Sequence, residues 1–528
     1  MYIAALFTWT FINSTNTKGL RYDPKYWANR CGHIAGSQLP LMTALGMKNN
    51  LISALTGVSF DWLQILHRTC ARVLCVVIWV HAFGRVYISV TIDLEEHWFR
   101  LGIVAASSLT LLSLLSIRPL RSRNHEVFLY LHAIFAIITL SGAYIHVSDF
   151  GYGSYIWPSL FLWGLDRFLR LLRISLVNSQ LFGSTTRIAS EATVTLPSSD
   201  APGFIRVLVD RPRYFFWRPG QTAYLTIAGA YPTSISEAHP FTIANTPGTL
   251  QCEVPTESEQ GQSSSGGRPQ LMFILRVRQG FTRRLADSVL ATGTSDGRGG
   301  IRRSFNAFVD GPYSSPPVVR GFETVVFICG GSGITFVLPL FSDLLQAASA
   351  ATNSNPCCQR IVLIWAIRDQ DQINWISLIL SNLLSALPSA NNSAPVIDIR
   401  FHVTSAAEDT QSFEGEKRPA SSASTAEAGA GGDSHQSSIM NPEKIHDAER
   451  DRLLGLPGVQ LIQGRPNVGE IVDTEITDAR GGSMSVNVCG TPELGQSVRL
   501  ALRSGFGRFT DVLRGGPSVQ LHVEAFDV

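Results

Sequence analysis

The chain has 528 residues, room for about three domains, with 45% hydrophobic and 16% charged residues and a formal net charge of +2. So small a net charge carries no signal of a polyanionic partner, and nucleic acid is not expected as one. The eight cysteines (31, 70, 75, 252, 329, 357, 358 and 489) form neither a CxxC pair nor a regular framework, which argues against a zinc site or a disulfide scaffold and for a soluble part facing a reducing compartment.

Apolar residues concentrate in 1–174, and the remainder alternates like a soluble protein, so a membrane domain precedes soluble ones. Met1–Ile12 is too short to span a bilayer and has no basic n-region or cleavage site. It reads as the remnant of a helix in a chain whose start is missing, not as a signal peptide. Candidate spans follow at Ile34–Met47, Trp62–Val90, Trp98–Ile117, Val127–Val147 and Tyr155–Leu172, the first weak because it is short and contains Pro40.

Two of these spans carry histidines in equal pairs, His67 with His81 and His132 with His146, fourteen residues apart in each case. Fourteen residues on an α-helix turn through about 1400°, within about 40° of whole turns, and climb about 21 Å, so each pair lies on one face at two depths. Ordinary buried histidines are the plain alternative. Ionisable groups at membrane depth are costly, however, and the repeated spacing points to ligands for two b-type haems stacked across a hydrocarbon core about 30 Å thick.

Basic residues set the orientation. Arg118, Arg121 and Arg123 join two spans, Arg167, Arg170 and Arg173 end the last, and the loop with Asp93, Glu95 and Glu96 is acidic. The soluble domains are therefore expected in the cytoplasm, with His67 and His132 at the inner level and His81 and His146 at the outer. Lys18, Arg21, Lys25 and Arg30 in the outside segment 13–30 run against this rule, and Asn13-Ser-Thr15 there is a glycosylation sequon. Arg68 and Arg72 beside His67 either pair with haem propionates or mark the cytoplasmic boundary.

A strand-rich region over 183–317 alternates in Glu191–Leu196 and Phe204–Asp210 and suggests a small β-barrel. From Thr324 a strand, a glycine turn and a helix, then a strand at Arg360–Ile367, suggest a parallel α/β domain over 322–528. Segments 251–269 and 405–445, poor in large apolar residues, read as solvated insertions.

Chemistry-bearing motifs lie in both soluble regions. His239-Pro240-Phe241-Thr242 offers a fixed turn, an aromatic face and a hydroxyl; Arg276-Val-Arg278-Gln-Gly280-Phe-Thr282-Arg283 offers basic groups and backbone donors around a glycine, suited to phosphate. Gly330-Gly331-Ser-Gly333-Ile-Thr335 ends a buried strand where a helix begins, either a structural turn or a pyrophosphate cradle. Arg368 sits where an arginine pairs with a ribose 2′-phosphate, or is a solvated surface residue. Cys489-Gly490 opens a turn at the carboxyl edge of the sheet, with Cys489 equally readable as a small buried residue.

Taken in order, these motifs, with Asn29-Arg-Cys-Gly32, Gln38-Leu-Pro40, Leu55-Thr-Gly57, His67-Arg68 and Asp310-Gly-Pro-Tyr313, resemble the fungal ferric reductase branch of the flavocytochrome b superfamily, which also contains the NADPH oxidases. The resemblance covers nearly the whole chain. It implies an all-α transmembrane haem-binding bundle (1–175) followed by a ferredoxin-reductase-like module, a β-barrel FAD domain (183–317) and an α/β NADPH domain (322–528). It also implies that His239, Pro240, Phe241 and Thr242 contact the FAD ring and ribityl chain, and Gly280 and Thr282 its pyrophosphate. Gly330, Gly331, Gly333 and Thr335 would hold NADPH phosphates, with Cys489 and Gly490 near the nicotinamide. Family members often end on an aromatic residue that reaches the flavin. Val528 stands there instead, so the role falls to Phe526 or is absent. The short N-terminus is a second departure.

The expected activity is passage of electrons from cytoplasmic NADPH through FAD and two haems to extracytoplasmic Fe(III), with Cu(II) as a further acceptor. Ferric chelates or siderophores are the expected substrates, membrane lipid the surroundings, an iron permease and oxidase system the protein partners, and the plasma membrane, with the vacuolar membrane second, the location. An NADPH oxidase delivering electrons to oxygen shares every cofactor motif, and a membrane scaffold or transporter that has lost catalysis is the rival of another class. No acid–base triad is evident, and the cofactors supply the redox chemistry.

Overall fold

The computed structural model describes the chain apart from residues 49, 59, 89–94, 124, 179–188, 197–202, 213, 248–269, 296–299, 351–357, 388–394, 406–441, 480–481, 506–515 and 526–528. The insertion at 251–269, nearly all of 405–445, Asp93, Phe526 and Val528 therefore lie outside the described residues. The chain divides into two compact units, Met1–Leu176 and Val177–Val528.

The first unit is helical: α1 (Tyr2–Phe11), α2 (Pro24–Gly46), α3 (Leu51–Thr56), α4 (Phe60–Tyr87), α5 (His97–Leu115), α6 (Arg118–Arg123), α7 (His125–Ser148) and α8 (Trp157–Asn178, its last two residues in the second unit). Local chemistry sets several ends. The Asp23 carboxylate accepts the Lys25 N–H with Pro24 in the first turn of α2; Asn50 caps α3, which stops at Gly57 in the left-handed region (φ 72°). Among the described residues, three helices are long and apolar enough to cross a membrane, Trp62–Tyr87, His97–Leu115 and Glu126–Ser148.

Five spans were expected. The outer two expectations fall in α2 and α8, which are 23 and 22 residues long but less apolar, α2 carrying Lys25 and Arg30 and α8 Asp166, Arg167, Arg170 and Arg173. Many large apolar side chains on the three spanning helices face outward, among them Trp62, Leu66, Phe83, Leu111 and Ile134. A water-soluble bundle would bury them; lipid removes the need. Helix α2 packs on α4 and α5 on α7, and Cys31, Ala35, Leu39, Leu74, Val77, Leu109 and Leu140 join in one core. Small residues allow the close approach: a side chain at Gly84 would strike Trp27 and Ala28, and one at Gly142 would press on Leu101 and Ala105.

The second unit holds two sheets. The first is antiparallel with the order β4-β3-β7-β1-β2-β5 and β6 beside β7, from β1 (Ser190–Leu196), β2 (Phe204–Asp210), β3 (Thr222–Ala228), β4 (His239–Thr242), β5 (Gln270–Arg276), β6 (Thr294–Ser295) and β7 (Ile301–Tyr313). Alternation in β1 and β3 sends Val194, Leu196, Leu225 and Ile227 inward, onto Phe273 and the Leu285 and Val289 face of α9 (Phe281–Thr292). Ala244, just past β4, donates to the Met272 carbonyl of β5, so the sheet curls until its first and last strands meet. The expected barrel is thus a barrel-like sheet.

The second sheet is parallel, with the order β11-β10-β9-β8-β12-β13, from β8 (Thr324–Gly330), β9 (Arg360–Ile367), β10 (Val396–Val403), β11 (Val459–Gln463), β12 (Ser483–Gly490) and β13 (Ser518–Ala525). The central strands are unbroken apolar runs because both faces are covered. Helices α10 (Ile334–Ala350) and α11 (Ser377–Ser385) contribute Phe336, Phe341 and Leu380 on one side; α13 (Val468–Asp478) and α14 (Pro492–Gly505) contribute Val472 and Val498 on the other. Helix α12 (Pro442–Leu454) leads into β11. Strand order reverses between β8 and β12, where a doubly wound sheet opens a crevice at the strands' carboxyl ends.

One ion-pair network ties this sheet to its helix layer. Glu475 on α13 is fully buried and accepts from Arg360 (2.8 Å) and Arg400 (3.1 Å), which also reach Asp398. Removing the carboxylate leaves two guanidinium groups in a half-buried layer to share Asp398 alone. Glu475→Leu is expected to cost about 3 kcal/mol, read as a lower apparent unfolding temperature of the second unit in the purified chain; an unchanged temperature would refute the assignment.

Candidate functional site

The helical unit gathers the four histidines in the two expected levels. His67 and His132 face each other with ring centroids 6.4 Å apart, and His81 interacts electrostatically with His146. Three rings are fixed the same way. Nδ1 of His67 lies 2.9 Å from the Met42 carbonyl, that of His81 2.7 Å from the Ala28 carbonyl, and that of His146 2.8 Å from the Trp98 carbonyl. A carbonyl can only accept, so Nδ1 carries the proton in each, and Nε2 is left with its lone pair for a metal.

A glycine lies four residues beyond each carbonyl. A Cβ at Gly46 would stand 3.0 Å from the His67 ring, one at Gly32 3.0 Å from His81, and one at Gly102 2.6 Å from His146. Any side chain there would push the ring off its carbonyl. His132 differs: its buried Nδ1 finds no partner among the described residues. Glycine cradles, a common tautomer and two facing pairs fit two bis-histidine haems. Arg68, Arg72, Arg118 and Arg121 line one cavity with Ser116 at the His67 end of the bundle.

In the barrel-like part, β4 is an edge strand that presents His239, Pro240, Phe241 and Thr242. The His239 ring packs 4.5 Å from that of Phe281, with Phe241 at 5.9 Å from the same ring, and the buried Thr242 Oγ1 has no hydrogen-bond partner among the described residues. Glu237 lies behind them and was not singled out by sequence. It accepts from Tyr231 Oη (2.6 Å), Thr233 Oγ1 (2.8 Å) and Arg284 (2.6 Å), and its carboxylate lies 3.7 Å from His239 Nε2. Burial raises its pKa, but those donors and the neighbouring charges outweigh it and hold the carboxyl below its usual range.

Gly280 precedes α9 with φ 87°, a backbone that favours glycine, and open space lies where a Cβ would be. Thr282 Oγ1 closes the turn, accepting the Arg278 N–H (2.8 Å) and donating to its carbonyl. A glycine at a helix N-terminus with basic neighbours suits a pyrophosphate, and the aromatic face with a hydroxyl at its edge suits a flavin.

The parallel sheet completes the set at its switch point. Gly330 ends β8, Gly331 follows with φ 52°, and Trp365 Nε1 donates to the Gly331 carbonyl at 2.8 Å. A Cβ at Gly333 would stand 2.3 Å from the Cys489 carbonyl, so only glycine lets the two strand ends meet. Thr335 is buried, its hydroxyl donating to the Ser332 carbonyl within the first turn. Cys489 is wholly buried in the core, its thiol pushed well up by burial and then by Cys329 and Glu524, so at this edge it offers backbone and no thiolate.

Arg368 is exposed just past β9, and its charge acts on Arg276, which also lies beside Gly331. Burial, then repulsion from Arg278 and Arg368, pulls the Arg276 guanidinium below its ordinary value. Arg276 thus lies beside the glycine turn with the charges of Arg278 and Arg368 acting on it, a concentration of positive charge that suits an anion. Phe526 lies outside the described residues.

Three family models match the chain in order: "Ferric reductase like transmembrane component" over residues 31–143, "FAD-binding domain" over 191–317 and "Ferric reductase NAD binding domain" over 322–502. Among curated relatives, the ferric/cupric reductase transmembrane component 1 of Candida albicans is 25% identical over 483 residues, covering 90% of this chain and 54% of that protein. The ferric reductase transmembrane component 4 of Saccharomyces cerevisiae is 25% identical over 480 residues, covering 88% and 58%. The chain thus spans between half and three-fifths of the length of these relatives.

Arg368 gives a direct check on the anion site. Arg368→Ala is expected to raise KM for NADPH about tenfold, some 1.4 kcal/mol, and to leave KM for NADH unchanged in steady-state kinetics; equal effects on both nucleotides would remove Arg368 from the 2′-phosphate.

Proposed function

We infer that this chain, a membrane-integral member of the ferric reductase family, carries electrons from NADPH across a membrane to ferric chelates, with cupric ion as a second acceptor. The observation that supports this most is the repeated histidine device: rings at two depths of a bundle, three of them held at Nδ1 by a backbone carbonyl so that Nε2 keeps its lone pair. The haem ligands would be His67 with His132 and His81 with His146. FAD would lie against His239, Pro240, Phe241 and Thr242 with its pyrophosphate at Gly280 and Thr282. NADPH would lie over Gly330, Gly331, Gly333 and Thr335 with its 2′-phosphate at Arg368 and its nicotinamide near Cys489 and Gly490.

Bound FAD and haems supply what side chains lack, the conversion of a hydride donor's two electrons into single-electron transfers. The protein contributes position. Its β4 edge and the first turn of α9 hold a planar ring and a pyrophosphate in one place, and Glu237 keeps Arg284 and His239 oriented behind them. The helix N-terminus after Gly333 and the three arginines fix the nucleotide by its charge.

The basic residues of α6 and of α8 favour the nucleotide and flavin domains on the cytoplasmic side, with reduction on the other face. On this reading the chain resides in the plasma membrane or the vacuolar membrane, takes iron as a siderophore or another chelate, and feeds an iron permease and oxidase system. An oxygen-reducing enzyme shares the same cofactor set, so the acceptor must be tested as such.

In membranes supplied with NADPH, His67→Ala and His146→Ala are each expected to cut reduction of an external ferric chelate at least a hundredfold and to lower the haem absorbance. Superoxide output should stay minor with the chelate present or absent. Normal ferric reduction in either variant would sink the transmembrane route, and superoxide as the main product would make the chain an oxidase.

A further inference from the structure

The histidine device is repeated with the helical period on both sides, and it is broken once. On α2 the accepting carbonyls are Ala28 and Met42 and the glycines Gly32 and Gly46, each pair fourteen residues apart, like the histidines they face. On α5 the corresponding carbonyl and glycine for His146 are Trp98 and Gly102. Adding fourteen residues gives Leu112 and residue 116, which should serve His132. The antiparallel register agrees, because position numbers on the paired helices α5 and α7 then sum to the same value at both levels.

Residue 116 is serine. Its hydroxyl donates to the Leu112 carbonyl at 2.7 Å, and its backbone N–H donates to the same oxygen at 3.0 Å. Both acceptor positions of that carbonyl are thereby taken. A Cβ also stands where the other three sites have none. The matching observation lies across the interface: the buried His132 Nδ1 has no partner among the described residues. Ser116 thus occupies the carbonyl that orients the ligand in every other quadrant.

We propose that Ser116 is a positioning residue that raises the reduction potential of the haem held by His67 and His132, by keeping the Leu112 carbonyl from the His132 ring. An imidazole whose Nδ1–H is hydrogen-bonded is the stronger donor and stabilises the oxidised metal. The level at His81 and His146 has two such ligands, and the level at His67 and His132 has one. The asymmetry comes from one hydroxymethyl group. It rests on the reading of the four histidines as haem ligands, which the experiment checks separately.

The test is a potentiometric titration of the haem bands in membranes carrying the wild-type chain, Ser116→Gly and Ser116→Thr. Glycine frees the carbonyl and removes the Cβ, and it suits a helix end, so the fold should tolerate it. One of the two midpoints should fall by about 59 mV in S116G, a tenfold change for one electron, while the other stays in place and haem content is retained. S116T keeps the hydroxyl and Cβ and should titrate like the wild type. Two unmoved midpoints in S116G, loss of haem from one level, or an equal shift in S116T would each overturn the proposal. A wild-type chain without b-type bands would instead remove the haem reading itself.

Discussion

The membrane half depends on one contact: three of its four paired histidines satisfy one ring nitrogen within the protein and keep the other for a metal, and His132 is the exception. Here the partner is a main-chain carbonyl of the neighbouring helix, already spent on its own i+4 N–H and holding one lone pair in reserve. Reaching it requires backbone and ring to approach more closely than a Cβ permits, which accounts for Gly32, Gly46 and Gly102. Helix pairing, ring tautomer and the depth of each level follow from that contact. The α2–α4 and α5–α7 pairs are the frame that supplies it.

The second unit solves a different problem, holding negative charge and flat rings, and does so with loops at strand ends. The switch point between β8 and β12 brings Gly330, Gly333 and Gly490 together, and β9 sends Arg368 to the same edge. The barrel-like sheet adds Arg276 from β5 to that edge and the His239 to Thr242 strand at its own. Backbone donors and arginines suit phosphate whichever nucleotide carries it; the aromatic neighbours of His239 suit a flat ring such as a flavin's.

Much of this was legible because its signals are local or periodic. The fourteen-residue histidine spacing, the strand alternation of β1 and β2 and the glycine turn after β8 can be read from a few adjacent residues, and the family and fold class followed from their order along the chain. What escaped depends on contacts between distant segments. Glu237 is an isolated acid in sequence and becomes a hub only when the turn carrying Tyr231 and Thr233 meets Arg284 on α9. The Gly32/Gly46 spacing was visible, but its meaning needed the register of α2 on α4. Five spans were expected where three helices meet the requirement among the described residues, because α2 and α8 mix charges into apolar runs. Cys489, open between two roles in sequence, is a core residue whose carbonyl abuts Gly333.

The central claim is that one chain links NADPH to an acceptor on the far side of a membrane through paired histidines. The measurement that reaches it most directly is the reduced-minus-oxidised absorbance spectrum of membranes containing the chain, taken anaerobically with NADPH and then with a ferric chelate outside. Low-spin b-type bands should appear with the nucleotide and vanish with the chelate. Absence of those bands, or bands that the chelate leaves untouched, would contradict it.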